Sequence, residues 1–195
     1  MTKVKTICVY CASSNRVDAI YSDTAKRLGA LLASEGMRLV TGGGSIGLMR
    51  CVEDGVLENG GEAIGVIPQF MVEQGWHHTG LSKLHITPDM HSRKQLMAQL
   101  SDAVIALPGG CGTMEELCEI ITWKQLGLYL KPIVILNING YYNHLIAQLN
   151  YAIEEQFMGQ IHANIWSVAS TPEEALEIIH NTKEWDPSIR KYAAL

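Results

Sequence analysis

The sequence predicts a Rossmann-like, three-layer α/β/α fold around one central parallel sheet. Three observations carry that prediction. Short apolar runs alternate with amphipathic stretches along most of the 195 residues. Two of those runs lead into glycine-rich turns that open helices: Gly42-Gly43-Gly44-Ser45-Ile46-Gly47 and Pro108-Gly109-Gly110-Cys111-Gly112-Thr113. Hydrophobic residues make up 47% of the chain, enough for a sizeable core, and no repeat or low-complexity segment interrupts the pattern.

The first strand runs from Val4 to Tyr10, and Cys11-Ala12-Ser13-Ser14-Asn15 makes a small polar loop. A helix follows from about Ile20 to Ser34, with Ala25, Leu28, Leu31 and Leu32 on one face and Gly36 at its end. Met37 to Thr41 is the second strand. After the first glycine turn, a helix runs from about Ile46 to Leu57 and closes at Asn59-Gly60-Gly61. Ala63 to Ile67 is the third strand, stopped by Pro68. Residues 69–82 have no clear period. They carry Phe70, Glu73, Trp76, His77 and His78, and a loop of that length is often functional.

Leu84 to Thr87 is the fourth strand. Asp89 caps the next helix, which starts Met90-His91-Ser92-Arg93-Lys94 and buries Leu96, Met97 and Leu100. Ala103 to Leu107 is the fifth strand, and the helix behind the second glycine turn ends near Gly127. Ile133 to Leu136 is a sixth strand, Tyr141 to Phe157 a long amphipathic helix, and Ile165 to Val168 a last short strand. Thr171-Pro172-Glu173-Glu174 is a helix start, with proline in the first turn and acids beside the dipole. Residues 1–182 thus read as a single nucleotide-binding domain, and 183–195 as a tail that packs on the surface or on a partner.

Composition excludes several classes. The net charge is −5 with no basic run, which argues against nucleic acid. No apolar run reaches the roughly 20 residues of a membrane helix. The first residues resemble no signal peptide, so the cytoplasm is the expected location. Five cysteines are an odd number and do not form a disulfide framework. Cys8 and Cys11 have redox spacing but fall at the first strand, where buried thiols are expected. No metal site is expected.

Glycines between a strand and a helix let a ligand approach the backbone, and the free amides of the helix start favour an anion, most often a phosphate. The first strand lacks the G-x-G-x-x-G turn of a dinucleotide site, and no G-x-x-x-x-G-K-[ST] is present. A mononucleotide or a sugar phosphate remains. Thr113-Met114-Glu115-Glu116 has the spacing of a capping box. Yet two carboxylates beside a dianionic phosphate repel it, unless they turn away or one faces a group that becomes positive. A ribosyl carbon losing its base is such a group, which favours glycosidic-bond chemistry. Arg93 is either a solvated surface arginine or, at the same sheet edge, a partner for phosphate or for a leaving purine.

Pro108 to Glu116 resembles the P-G-G-x-G-T-x-x-E signature of the LOG family, the cytokinin riboside 5′-monophosphate phosphoribohydrolases, long labelled "possible lysine decarboxylase". Gly42-Gly43-Gly44-Ser45-Ile46-Gly47-Leu48-Met49, Asp89-Met90-His91-Ser92-Arg93-Lys94 and Ile121-Thr122-Trp123-Lys124-Gln125-Leu126-Gly127 resemble further family motifs, so the likeness spans nearly the whole chain. The resemblance implies a homodimer that hydrolyses the N-glycosidic bond of AMP or N6-substituted AMP, without a cofactor. It makes Arg93 and Glu116 the catalytic pair. It places Gly109, Gly110, Cys111, Gly112 and Thr113 around the phosphate, and Glu115, Lys94, Thr122, Ser13, Ser14, Gly43, Gly44, Gly47 and Met49 in the substrate site.

The chain departs from the pattern in three places. Gly75 stands where many relatives carry a substrate-binding glutamate, with Glu73 two places away; Ala12 replaces a usual glycine; Cys111 fills a position often held by an aromatic residue. A thiol at a helix start is a target for oxidation. The decarboxylase label finds little support, because no lysine beside the glycine turns is obviously placed for a pyridoxal Schiff base, Lys94 and Lys124 being the candidates. Two other readings compete. One is a carrier that holds a nucleotide-like ligand such as a molybdenum cofactor without turnover. The other is an interaction protein that uses Trp76, Trp123 and Trp166 as a surface.

Overall fold

The computed structural model describes residues 4–183, 185, 186 and 188. Seven parallel strands form one sheet: β1 (Thr6–Tyr10), β2 (Arg38–Thr41), β3 (Ala63–Pro68), β4 (Lys83–Thr87), β5 (Ala103–Ala106), β6 (Ile133–Leu136) and β7 (Ser167–Ala169). Their order is β4-β3-β2-β1-β5-β6-β7. The strands are apolar on both faces because helices cover both. In β1, Ile7 and Val9 face the layer of α1 (Ala19–Ser34), α2 (Gly47–Glu58) and α7 (Pro172–Asn181). Cys8 and Tyr10 face the layer of α4 (Met90–Leu100), α5 (Cys111–Gln125) and α6 (Asn143–Glu154).

The caps read from sequence are present where local side chains can make them. Asp89 accepts from the Ser92 amide at 2.7 Å, and Thr171 Oγ1 accepts from the Glu174 amide at 3.2 Å ahead of Pro172. Residues 69–82 differ from the expected aperiodic loop. They begin with a five-residue helix, α3 (Gln69–Glu73), too short to leave a period. Helix α6 starts two residues later than expected, because the Asn137 side chain accepts the Tyr142 amide at 2.7 Å and holds a 3-10 turn (Ile138–Gly140) in front of it. Cys8 and Cys11 are buried free thiols, as expected. Of the expected tail, residues 184, 187 and 189–195 lie outside the described residues. Trp185 packs against the α4–α6 layer, with the Lys124 ammonium 5.1 Å from its ring centroid.

Candidate active site

Three loops meet at the carboxyl ends of β1, β2 and β5. Strands β1 and β5 are neighbours, and the chain winds away from them in opposite directions, which is the switch point where open α/β sheets place ligands. Backbone hydrogen bonds stitch the loops together. The Ala12 amide donates to Pro108 O at 3.2 Å, and the Met49 amide donates to Ala12 O at 3.2 Å. Gly47, at φ 70°, lies so close to Ser13 and Ser14 that a Cβ would overlap their backbone. Ser13, Ser14, Gly47 and Met49 therefore share one rim with the central turn.

In that turn, α5 begins at Cys111 with no side-chain cap. The first helical bond runs from the Met114 amide to Gly110 O at 3.0 Å. The amides of Gly110, Cys111, Gly112 and Thr113 are thus left without an acceptor among the described residues, and three of them belong to the first helical turn. Gly110, Cys111 and Gly112 are exposed, while Gly109 is buried beneath the Thr113 side chain. Two tyrosines brace the turn from behind. Tyr141 Oη donates to Gly109 O at 2.6 Å, and Tyr142 Oη donates to Leu107 O at 2.7 Å. Nothing local in the sequence pointed to either, since both bonds span more than thirty residues.

Helix α5 carries Glu116 inward, and α4 brings Arg93 to meet it. Arg93 Nη1–H donates to Glu116 Oε1 at 2.9 Å, and Arg93 Nε–H donates to Val66 O at 3.0 Å. Both residues are buried, at 7% and 8% exposure, so Arg93 is not the solvated surface arginine that sequence allowed. The capping box is absent too: Thr113 lies inside the helix, and Glu116 faces Arg93 instead of folding back. Burial pushes the Glu116 carboxyl above the ordinary value, with the guanidinium opposing the rise.

Glu115 points elsewhere. Its carboxylate pairs with the Lys94 ammonium, which also reaches Glu119 at 3.2 Å. Burial works against the Lys94 charge, but the two carboxylates outweigh it and hold the group above its usual value. Each of the two carboxylates therefore has its own cation beside the open helix start, which removes the repulsion expected for a phosphate there.

The other glycine turn has little to offer an anion. Gly43 N–H donates to Thr41 Oγ1 at 3.1 Å, Gly44 N–H to Met49 Sδ at 2.9 Å and Ser45 N–H to Trp76 O at 2.8 Å. The amides of Gly43 and Gly44 are thus consumed internally. What this turn supplies is shape. A Cβ on Gly42 would fall on the Arg93 guanidinium, so only glycine lets the arginine lie flat against the backbone.

Thr122 is exposed on α5, its hydroxyl donating to Cys118 O at 2.8 Å, and it makes no hydrogen bond to Arg93 or Glu116 within the chain. Glu73 accepts from Gln69 on its own short helix at 3.0 Å, and Gly75, at φ 71°, faces open space. The sequence reading gave Thr41 and Glu53 no site role and named His78 only as one side chain of the 69–82 loop; the three form a buried polar group under the 42–44 turn. Glu53 left one signal: a charged residue next to Val52, on a helix whose Leu48, Val52 and Val56 are buried. Among the described residues no cluster of three metal-ligating side chains occurs, and no helix is long and apolar enough to cross a membrane.

Fold and site together define a Rossmann-like protein with an anion-ready helix start beside a buried Arg–Glu pair. The family described as "Possible lysine decarboxylase" matches residues 49–179. The chain is 42% identical over 193 residues to cytokinin riboside 5′-monophosphate phosphoribohydrolase LOG1 of Arabidopsis thaliana, covering 99% of this chain and 89% of that one. It is 43% identical over 176 residues to the probable cytokinin riboside 5′-monophosphate phosphoribohydrolase LOGL6 of Oryza sativa subsp. japonica, covering 90% and 70%. Among solved structures, a molybdenum cofactor binding protein from Rippkaea orientalis superposes with a TM-score of 0.70 at 25% identity, over 92% of this chain and 98% of that one. The chain belongs to the LOG family, the group that carries the lysine decarboxylase description.

Proposed function

We propose that this protein hydrolyses the N-glycosidic bond of AMP or of an N6-substituted AMP, as a cytokinin riboside 5′-monophosphate phosphoribohydrolase or AMP nucleosidase. The observation that carries the reading is an open helix start with a buried carboxylate one turn further along α5. The dianionic phosphate would take the free amides of residues 110–113. The ribose would then lie toward Glu116. As the C1′–N9 bond breaks, its electron pair leaves with the purine and positive charge grows on C1′, where the Glu116 carboxylate stabilises it. Water adds its oxygen to C1′, and one of its protons ends on the base. Arg93 fixes the carboxylate, and its N–H groups not taken by Val66 and Glu116 are available to the departing purine.

The proposal includes a cytoplasmic homodimer. All five cysteines are free, which suits a reducing compartment. Phe157 is 82% exposed, and Leu126, Leu128 and Tyr151 are exposed apolar side chains on or next to α5 and α6 that suit a second copy. The test is incubation with AMP and with N6-isopentenyl-AMP, followed by chromatography. Equal amounts of free base and ribose 5-phosphate support the reading. Adenosine with inorganic phosphate, or binding with no turnover, contradicts it, and the latter is what a carrier of the molybdenum-cofactor type would give.

A further inference from the structure

The turn at 108–112 is one-sided in its hydrogen bonding. Three successive carbonyls at its entrance are each held by a donor from another part of the chain. Leu107 O accepts from Tyr142 Oη–H at 2.7 Å, Pro108 O from the Ala12 N–H at 3.2 Å, and Gly109 O from Tyr141 Oη–H at 2.6 Å. Gly110 O takes the Met114 N–H at 3.0 Å. The carbonyls are all engaged, while the amides of residues 110–113 have no acceptor among the described residues.

We infer that Tyr141 is a positioning residue for the anion site: its hydroxyl fixes the 109–110 peptide so that the Gly110 N–H stays turned toward the bound phosphate. The inference rests on the reading, proposed above, that residues 110–113 take the phosphate. No peptide bond among the described residues is cis, and in a planar trans peptide the C=O and N–H point in opposite directions. A hydroxyl that holds Gly109 O on one side therefore directs the Gly110 N–H to the other.

This peptide needs holding because it lies between two glycines. A Cβ on Gly109 would fall on the Thr113 hydroxyl, so packing requires glycine there. Gly110 is exposed, and a Cβ on it would meet nothing. Turning the peptide over rotates φ of Gly110 from −82° by half a turn to roughly +100°, a region that glycine enters freely. Once turned, it would present a carbonyl oxygen to a dianion in place of a donor. A charge-assisted hydrogen bond would become a repulsion.

Tyr141 is itself held. It follows the 3-10 turn, where its N–H donates to Ile138 O at 3.1 Å. Its ring stands edge-to-face with Tyr142, at 5.0 Å between centroids, and with Tyr21 of α1, at 6.1 Å. The hydroxyl has one proton, spent on Gly109 O, and so has none to give to the phosphate. Tyr142 serves as the control. The peptide that it pins joins Leu107 to Pro108, whose nitrogen carries no hydrogen to aim.

Titration calorimetry with ribose 5-phosphate reads the difference, because that ligand carries the phosphate and needs no turnover. Tyr141→Phe keeps the ring contacts and removes the hydroxyl. It should bind ribose 5-phosphate roughly tenfold more weakly than wild type. Its KM for AMP should rise by a similar factor, with kcat within about twofold. Tyr142→Phe should lower the melting temperature, since buried Leu107 loses the partner of its carbonyl, yet bind ribose 5-phosphate within about twofold of wild type. In ligand-free protein, the Gly110 amide resonance should be single in wild type and in Tyr142→Phe, and broadened or doubled in Tyr141→Phe. Equal affinity of Tyr141→Phe and wild type overturns the inference. So does an equal loss in both variants, which would make the two hydroxyls mere supports of the turn. If the binding pattern holds while AMP is never cleaved, the hydrolase reading has failed and the role of Tyr141 stands. If wild-type protein binds no ribose 5-phosphate, the phosphate site and the role of Tyr141 fall together.

Discussion

The two glycine-rich turns look alike in sequence and do opposite work. At 110–113 the backbone donors are left open among the described residues, Gly110 and Gly112 face solvent, and a helix dipole stands behind them. At 42–44 the donors are consumed by Thr41, Met49 and, one residue on, Trp76, and the glycines leave room for a neighbouring arginine. Glycine at a strand-to-helix turn therefore has two uses. It lets a ligand approach the amides, or it lets another part of the protein approach the chain. What separates them is where the N–H groups go: to Thr41 and Met49 nearby and Trp76 farther on in one turn, and to no acceptor among the described residues in the other.

The largest effect should come from Glu116, the carboxylate proposed to face the ribose. Glu116→Gln should lower kcat for AMP by about 10²–10³-fold, while calorimetry shows AMP still binding. A variant that turns over at the wild-type rate would reduce Glu116 to a structural partner of Arg93. In wild type, activity should fall as pH drops through the raised Glu116 pKa, at a higher pH than for a solvent-exposed glutamate. Next, iodoacetamide should block activity through Cys111, exposed at the first helical residue, and AMP should protect. Full activity with Cys111 alkylated, read by mass spectrometry, would separate the thiol from the phosphate site.

A matched pair of glycine substitutions breaks the comparison most cleanly. A Cβ on Gly112 meets nothing in the protein, so Gly112→Ala should leave the melting temperature unchanged and raise KM for AMP by roughly tenfold, the bound phosphate being what it crowds. A Cβ on Gly42 meets Arg93, so Gly42→Ala should lower kcat and cost about 1–3 kcal/mol of stability by overpacking. Steady-state kinetics and thermal melts on both variants read the two patterns. If the patterns exchange, the assignment of the turns is reversed.

The smallest effect is on stability. The folded chain holds the Glu53 proton up to about 8, whereas the unfolded chain releases it near the ordinary value of 4.5. Stability from this group is thus fully present below 4.5 and is lost as pH rises through 8. His78, with a lowered value, acts in the opposite sense on the acid side. Urea melts across this window should show a shallower alkaline decline for Glu53→Gln than for wild type.

Much of the architecture was legible because strand and helix alternate and both faces of the sheet are covered. Ile7 and Cys8 point to opposite layers, so the strands read as continuous apolar runs, and the seven that these runs mark are the seven that pair. Asp89 and Thr171 could be read as caps because their partners lie three residues on. The Thr113–Glu116 spacing misled for the converse reason: Arg93, twenty-three residues away, claims Glu116. The bracing by Tyr141 and Tyr142 and the Glu53–His78 contact were equally invisible, since each joins segments that only the folded sheet brings together. Motifs marked where a ligand could come; the state of each amide and carboxylate needed the tertiary contacts.

The measurement that tests the account most directly is a crystal structure of Glu116→Gln with AMP bound. The account predicts phosphate oxygens within hydrogen-bond distance of the amides of Gly110, Cys111, Gly112 and Thr113, with C1′ against the side chain at position 116. A phosphate seated on residues 42–44, or a ribose turned away from position 116, would contradict it.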